Sequence, residues 1–164
     1  MPTNLERAFE DRPDVYAAWR GLITAIRGTI GARRYEIATL AAAQRLRSSY
    51  CSLAHATVLQ DELGEDVLHL LHDRPSLDPV DVAVMELAEK IVDDATSVTA
   101  DDLQRLRDLG LDDGEIMDVV LSVTARCFFS KTLDALQVLP DAHYRELEPE
   151  LRDALVVGRP IAES

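Results

Sequence analysis

Cys51 and His55 are the residues of this chain whose types and spacing most clearly suggest chemistry. They lie four positions apart, so on an α-helix their side chains share one face with Cβ atoms about 6 Å apart. An imidazole at that separation can hydrogen-bond a thiol, directly or through one water, and so favour the nucleophilic thiolate. The spacing therefore predicts a reactive thiol with its base one helical turn away.

Ser48 extends this pattern toward the N-terminus. It lies three residues before Cys51, so in a helix its hydroxyl would face the same side. Serine is a preferred N-cap, and Ser48-Ser49-Tyr50 predicts a break in the chain with a new helix from about Ser49. A continuous helix through this point is the alternative. With the break, Cys51 falls in the first helical turn, where free amides and the helix dipole also stabilise an anion.

Cys51 and Cys127 are the only cysteines, and they are far apart in the chain. They form neither a disulfide scaffold nor, without a Cys-x-x-Cys, a recognisable zinc site. Cys127 lies in the apolar segment 125–129 and is predicted to be a buried structural thiol. A bare Cys-x-x-x-His spacing is itself more often a packed helix face than a site, so the interpretation of Cys51 needs further support.

The segments that must position these side chains carry helical rather than strand patterns. Apolar residues recur every three or four positions, and no segment alternates like a strand. Helix starts are marked by Pro13, by Asp78 and by the capping-box spacing at Thr99. The length predicts one domain over residues 1–164, and the pattern an all-α fold. The predicted helices cover residues 14–30, 34–46, 49–63, 65–71, 79–92, 99–109, 112–136 and 140–157, the last with a break near Pro149.

The predicted helix over 112–136 is unusual because its middle, 116–129, is largely apolar. Such breadth is typical of a helix buried on several faces, either in the centre of the fold or at an interface. Arg126 lies inside this apolar segment, with Lys131 shortly after it. A buried arginine requires a negatively charged partner, and we expect a carboxylate from a neighbouring subunit.

Charge and hydropathy argue against two classes of partner. The net charge is −13 with acidic residues spread along the chain, whereas nucleic-acid binding needs a basic face. The longest uncharged apolar run, near 119–125, is far shorter than the roughly 20 residues that cross a bilayer. The first residues contain charges and no apolar stretch, so no secretory signal is expected. We therefore expect a soluble, cytoplasmic protein that binds neither nucleic acid nor membrane.

Four spaced positions resemble a known family. Glu36, Ser48, Cys51 and His55 fit the pattern Glu-(eleven residues)-Cys-x-x-Cys-x-x-x-His of the alkyl hydroperoxidase D-like (AhpD-like) proteins, within the carboxymuconolactone decarboxylase superfamily. The likeness spans most of the chain from about Pro13. Its peroxidase-related branch is the most similar, through the segments 35–40, 47–55, 98–111 and 158–161.

This resemblance implies an all-α, AhpD-like fold of roughly seven to eight helices that assembles as a homo-oligomer, whether dimer, trimer or hexamer. It implies an antioxidant oxidoreductase, a peroxidase with peroxiredoxin-type activity, in which Cys51 attacks a small hydroperoxide. His55 would be the base of Cys51, and Glu36 would pass protons through that histidine or through a water. No metal and no organic cofactor are implied, and an external thiol would supply the reducing equivalents.

One position departs from the family pattern, since Ser48 stands where the first cysteine is expected. A Cys-x-x-Cys enzyme resolves its sulfenic acid by closing a disulfide within the motif, and serine cannot do this. Turnover then needs Cys127, an external thiol or another subunit, or the protein does not turn over peroxide at all. Ser48 stays a candidate site residue because its hydroxyl could hydrogen-bond the Cys51 thiolate.

Glu36 poses a geometric problem. In one straight helix it would lie about 18 Å from Ser48. It reaches His55 only if the chain bends near Ser48 and the two helices cross, and donation by a neighbouring subunit is the alternative.

Two other functions stay open at this point. A lyase or decarboxylase of the same superfamily would need a basic side chain facing the site, to bind a small lactone that carries a carboxylate. Arg45 and Arg47 are close to Cys51 in sequence, but they lie on other helix faces. A non-catalytic oligomeric thiol sensor would keep the fold and lose turnover, which is consistent with the serine at position 48.

Overall fold

Nine α-helices, with a π-helical segment and short 3-10 helices among their connections, make up residues 2–163, which are the residues that this computed structural model describes. No strand occurs in this part of the chain, so the predicted all-α class is confirmed. The count exceeds seven to eight because Thr3 and Glu6 cap a short helix ahead of the first predicted one. The helices are α1 (Asn4–Ala8), α2 (Pro13–Ile30), α3 (Ala32–Arg45), α4 (Ser49–Thr57), α5 (Val67–His72), α6 (Pro79–Asp94), α7 (Ala100–Asp108), α8 (Asp113–Ala135) and α9 (Pro149–Leu155).

The starts of α6, α7 and α8 carry side-chain caps. The predicted capping box is present at α7, where Thr99 Oγ1 accepts from the Asp102 N–H at 3.3 Å and the Asp102 carboxylate accepts from the Thr99 N–H at 2.7 Å. Asp112 and Glu115 form the same reciprocal pair at α8. Asp78 caps α6, as the sequence predicts. These local bonds set where the helices that support the core begin.

Helix α3 is the centre of the fold and packs against α2, α4, α6 and α8. All residues from 35 to 43 are buried, and alanines at 38, 41, 42 and 43 let the neighbouring helices approach closely. Glu36 lies within this buried run, with only 2% of its surface exposed. A carboxylate is seldom so deeply buried without partners, so the side chains that contact Glu36 mark a candidate functional site.

The chain turns sharply between α3 and α4, which confirms the predicted break. Arg47 adopts a left-handed conformation with φ 58°, and the Ser48 N–H donates to Ala43 O at 3.0 Å. The Arg47 N–H donates to Gln44 O at 3.1 Å, completing a Schellman motif at the end of α3. Ser48 is the N-cap residue of α4 by position, but its side chain makes no capping bond. The backbone of Arg47, rather than a serine cap, produces the corner.

The C-terminal segment packs on this corner. Gly158 N–H donates to Ser49 Oγ at 2.8 Å. A Cβ atom on Gly158 would lie 2.0 Å from the carbonyl oxygen of Arg47, so only glycine fits here. Further along, the Ala162 N–H donates to Pro140 O at 2.9 Å, and Ile161 is buried. The tail therefore supports the junction of α3 and α4 from the outside.

Helix α8 is the longest helix and has two different faces. One face is buried in the core through residues such as Val119, Val123 and Leu133. The opposite face leaves Met117 and Phe128 more than half exposed, at 58% and 52%. None of the helices in residues 2–163 combines the length and the hydropathy that crossing a membrane would require.

Candidate active site

A cavity of about 240 Å³ lies between α2, α3, α4 and α8, next to the corner at Ser48. It brings together three of the four predicted site residues, and Ser48 is not among its lining residues. Most of the other side chains around it are apolar or aromatic. The lining residues are Leu5, Trp19, Ile23, Arg27, Tyr35, Glu36, Tyr50, Cys51, Ala54, His55, Val58, Arg126 and Phe129.

Glu36 and His55 meet within one chain. The turn at Arg47 folds α4 back along α3, and His55 Nδ1 lies 2.5 Å from Glu36 Oε2. Burial, together with repulsion from Arg126, lowers the pKa of His55, although Glu36 acts in the opposite direction. The imidazole is therefore neutral, with Nδ1–H donating to the carboxylate. The Nε2 lone pair of His55 is then available as a base.

Arg27 is a second partner of Glu36 that sequence reasoning missed. Its Nη2 lies 3.4 Å from Glu36 Oε1, so each carboxylate oxygen has its own cationic or N–H partner. Arg27 lies in the last turn of α2, where the tight connection at Gly31 returns the chain along α3. No local spacing rule joins positions 27 and 36, because the contact depends on how two helices pack.

Cys51 lies in the first turn of α4, as predicted, and only 1% of its surface is exposed. Its Sγ accepts a hydrogen bond from Arg126 Nη1 at 3.3 Å. The hydrogen bonds of the described residues include none between Cys51 and His55. The two side chains face the same cavity, so a water or a substrate oxygen can connect them.

Arg126 is the most unexpected member of the site. It is buried, as the sequence predicts, with 2% of its surface exposed. Its Nη1 faces Cys51, its Nη2 donates to Tyr35 Oη at 3.3 Å, and its guanidinium carbon lies within 6 Å of the Trp19 and Phe129 rings. Within residues 2–163, Arg126 forms no ion pair with a carboxylate. The expected carboxylate from a neighbouring subunit stays a prediction.

Ser48 is fully buried, but its Oγ has no hydrogen-bond partner among the residues that the structure describes. Its backbone is extended, with φ −94° and ψ 96°. The helical reasoning that aims its hydroxyl along the Cys51 face therefore does not apply at this position. A bond from Ser48 Oγ to Cys51 is not formed in the structure, and a role of Ser48 in the reaction stays a prediction.

Cys127 is a half-buried free thiol that packs against the main core. Burial raises the pKa of Cys127, which keeps it a thiol at neutral pH. It follows Arg126 in α8 and is not a lining residue of the cavity. The sequence predicts a buried thiol, whereas the structure leaves Cys127 partly exposed, and its structural role stays a prediction.

Comparison with known proteins identifies the fold. No protein-family model matches the chain, and no curated protein matches it. An uncharacterized peroxidase-related protein from Silicibacter sp. TM1040 superposes with a TM-score of 0.80 at 18% identity, over 89% of this chain and 80% of its own. An uncharacterized peroxidase-related protein from Ralstonia eutropha JMP134, described as an alkylhydroperoxidase AhpD core, gives 0.76 at 17% identity, over 96% and 83%. The predicted AhpD-like fold is thereby confirmed.

Proposed function

We propose that this protein is a thiol-dependent peroxidase that reduces hydroperoxides through Cys51, with His55 and Glu36 in proton transfer. The observation that carries the proposal is the shared cavity, in which a buried thiol lies beside a neutral imidazole held by a buried carboxylate. Nucleophile, base and orienting carboxylate are the three parts that an activated thiol site requires.

The reaction divides into two balanced steps. Cys51 reacts as the thiolate after its proton has left to solvent by way of a water and the Nε2 of His55, and the thiolate attacks the terminal oxygen of ROOH. The S–O bond forms as the O–O bond breaks, and the leaving alkoxide takes a proton from solvent, relayed by a water that His55 binds. An external dithiol then reduces the sulfenic acid, returning the thiol and releasing water and a disulfide.

Several features support an external reductant and an apolar substrate body. Ser48 cannot form a disulfide, and Cys127 does not line the cavity. The walls around Cys51 include Leu5, Ile23 and Phe129, which suit the hydrocarbon part of an organic hydroperoxide. We also propose that the protein works as a homo-oligomer in the cytoplasm, where two free cysteines would remain reduced.

Peroxide consumption tests the proposal, with an organic hydroperoxide, hydrogen peroxide and several mono- and dithiol donors. Cys51→Ser is expected to lower the rate by at least about 100-fold, since it removes the nucleophile. Cys127→Ser is the matched control, and it should retain the wild-type rate. Unchanged consumption by Cys51→Ser would show that the activity does not use this site.

Arg126 favours one second candidate. A lyase acting on a small lactone that carries a carboxylate needs a cation in the cavity, and Arg126 is such a residue. However, two of its three nitrogens already donate to Cys51 and Tyr35, and only Nε lacks a partner. Ultraviolet assay of lactone decarboxylation by the wild-type protein separates this candidate from the peroxidase.

A thiol sensor is the remaining alternative, and the serine at position 48 favours it. Mass spectrometry after one equivalent of peroxide distinguishes it from an enzyme. A Cys51 sulfenic acid that persists in the presence of every donor would support the sensor, whereas its rapid return to thiol supports the peroxidase.

A further inference from the structure

The buried charge of Arg126 requires an anion, and its surroundings offer few. Glu36, the nearest buried carboxylate in the site, is engaged by Arg27 and His55. Burial raises the pKa of Tyr35, so its phenol remains neutral. A buried cation without a compensating charge is strongly unfavourable. The side chains that hydrogen-bond Arg126 in residues 2–163 are Tyr35 and Cys51, so the Cys51 sulfur is the remaining candidate for the anion.

We infer that Arg126 is a catalytic residue that holds Cys51 as the thiolate and that Tyr35 is its positioning residue. The inference rests on the proposed role of Cys51 as nucleophile. It divides the site into two parts, because Arg126 contacts the sulfur whereas the His55–Glu36 pair manages the proton. Under this inference Cys51 is activated by Arg126 even though it makes no hydrogen bond to His55.

The geometry around Arg126 fixes the direction of its guanidinium group. Tyr35 Oη accepts from Nη2, and the Trp19 and Phe129 rings lie 5.7 and 5.6 Å from the guanidinium carbon. These aromatic contacts favour a cation and leave Nη1 directed at Sγ. During attack the negative charge moves from sulfur to the leaving alkoxide as the S–O bond forms and the O–O bond breaks. Arg126 lies beside the sulfur from which that charge departs.

The rate of Cys51 alkylation by iodoacetamide, measured against pH in the Cys127→Ser protein, tests the role of Arg126. The high-pH plateau reports access to the thiol, and the shape of the profile reports its charge. Arg126→Met should lower the rate at pH 6.5 by at least about tenfold and move the profile to higher pH. Arg126→Lys, which keeps the charge, should fall between the two, and Tyr35→Phe should give a smaller shift with an unchanged plateau.

Arg45→Met is the matched control, because it removes an exposed arginine paired with Asp93 and should leave the profile unchanged. A profile of Arg126→Met that superimposes on the wild type would overturn the inference. If Arg126→Met does not fold, the ultraviolet thiolate absorbance of the Cys127→Ser protein decides, with the Cys51→Ser/Cys127→Ser protein as blank. Absence of thiolate at neutral pH would refute it. An Arg126-dependent profile without peroxide consumption would refute only the proposed function.

A different observation concerns the outer face of α8. Met117, Leu121 and Phe128 are exposed and lie on one face of the helix, at spacings of four and seven residues. Beside them, a groove of about 320 Å³ runs between α2 and α8 and includes Trp19 and Leu22. An exposed apolar row next to an apolar groove is typical of an interaction surface.

Two charged residues on this face of α8 indicate which partner would cover it. Asp118 and Lys131 have no ion-pair partner within the described part of the chain. A two-fold axis that crosses α8 between Thr124 and Ala125 would relate residue 121 of one copy to residue 128 of the other, because the two positions lie equally far from the axis. The same axis would relate residue 118 to residue 131. Two antiparallel copies of α8 would then place Leu121 on Phe128 and Asp118 beside Lys131, each twice. The geometry points to a second copy of this chain as the occupant, in an isologous dimer contact.

Charge reversal tests this contact, with sedimentation velocity as the measurement. Asp118→Lys and Lys131→Asp should each raise the dissociation constant by about tenfold or more, because each places like charges opposite one another twice. The double variant Asp118→Lys/Lys131→Asp should restore wild-type association, and Asp101→Lys on exposed α7 should have no effect. A wild-type protein that remains monomeric, or a double variant that stays as weak as the singles, would show that another partner or none covers this face.

Discussion

His55 shows how a single side chain links the chemistry to stability. Its pKa lies below the ordinary value near 6.5, first because of burial and second because of Arg126. In the unfolded chain the imidazole has its ordinary pKa, so below pH 6.5 the unfolded state binds a proton that the folded state refuses. The stability that His55 contributes is thus complete above about pH 6.5 and is lost as pH falls toward the folded pKa.

The expected result is that acid destabilises the wild type more than His55→Gln. Between pH 6.5 and the folded pKa of His55, its contribution to the free energy of unfolding falls by up to about 1.4 kcal/mol per pH unit. Urea denaturation at pH 7.5 and 5.5 measures this difference. Glu36, Arg27 and Arg126 surround position 55 in both proteins, so their own titration affects both alike, and equal losses in the two proteins would mean that His55 is protonated when folded.

Ser48→Cys tests whether the missing resolving thiol limits turnover. A cysteine at this position would restore the Cys-x-x-Cys spacing, and its thiol could attack a Cys51 sulfenic acid without an external partner. We expect dithiol-supported peroxide consumption to rise by about tenfold or more, and an intramolecular disulfide to appear by mass spectrometry. Ser52→Cys adds a thiol directly after Cys51 in α4, without that spacing, and serves as the control. Equal rates for wild type and Ser48→Cys would show that the missing thiol at position 48 does not limit turnover.

At the scale of single residues, the sequence predicts the reactive thiol, its base and the carboxylate, since their spacing matches a known pattern. Arg27, Tyr35 and Arg126 complete the site, and only the burial of Arg126 is foreseen. Their contacts join α2, α3 and α8 to Cys51 and Glu36. Such contacts depend on helix packing and leave no periodic signal along the chain.

At the scale of elements, the junction of α3 and α4 decides whether the site exists, because it turns His55 toward Glu36. The serines at 48 and 49 predict the position of this break but not its cause. The cause is the left-handed backbone of Arg47, a conformation that residues other than glycine seldom adopt. The π-helical turn Val58–Glu62, where the sequence predicts a continuous α-helix to residue 63, is another feature without a local signal.

Gly158→Ala tests the support of this corner by the C-terminal tail. The added methyl group would lie 2.0 Å from Arg47 O, so the tail must move away. We expect a loss of about 1–3 kcal/mol in the free energy of unfolding, together with lower peroxidase activity. Chemical denaturation measures the first effect. Gly28→Ala in α2 is the control, because its Cβ has open space and alanine favours helix; it should be neutral or stabilising. A Gly158→Ala protein as stable as the wild type would contradict a close fit.

At the scale of the whole molecule, the all-α class was predictable because helical periodicity and caps agree along the chain, whereas the AhpD-like fold was implied by the resemblance to that family. Helix α8 shows the limit of this agreement. Its broad apolar segment predicts a central or interface helix, and the structure assigns one face to the core and leaves the other exposed. A sequence pattern does not separate these two faces, since both are apolar. The single-domain organisation over 1–164 stays a prediction.

The fit of Gly158 against the corner also has a consequence for the order of events during synthesis. Cys51 is translated about a hundred residues before Gly158, which at 5–20 residues per second is roughly 5–20 s. During that interval the nascent chain carries Cys51 without the segment that completes the corner around it. The contacts that surround Cys51 in the folded protein can therefore form fully only after Gly158 has been added to the chain.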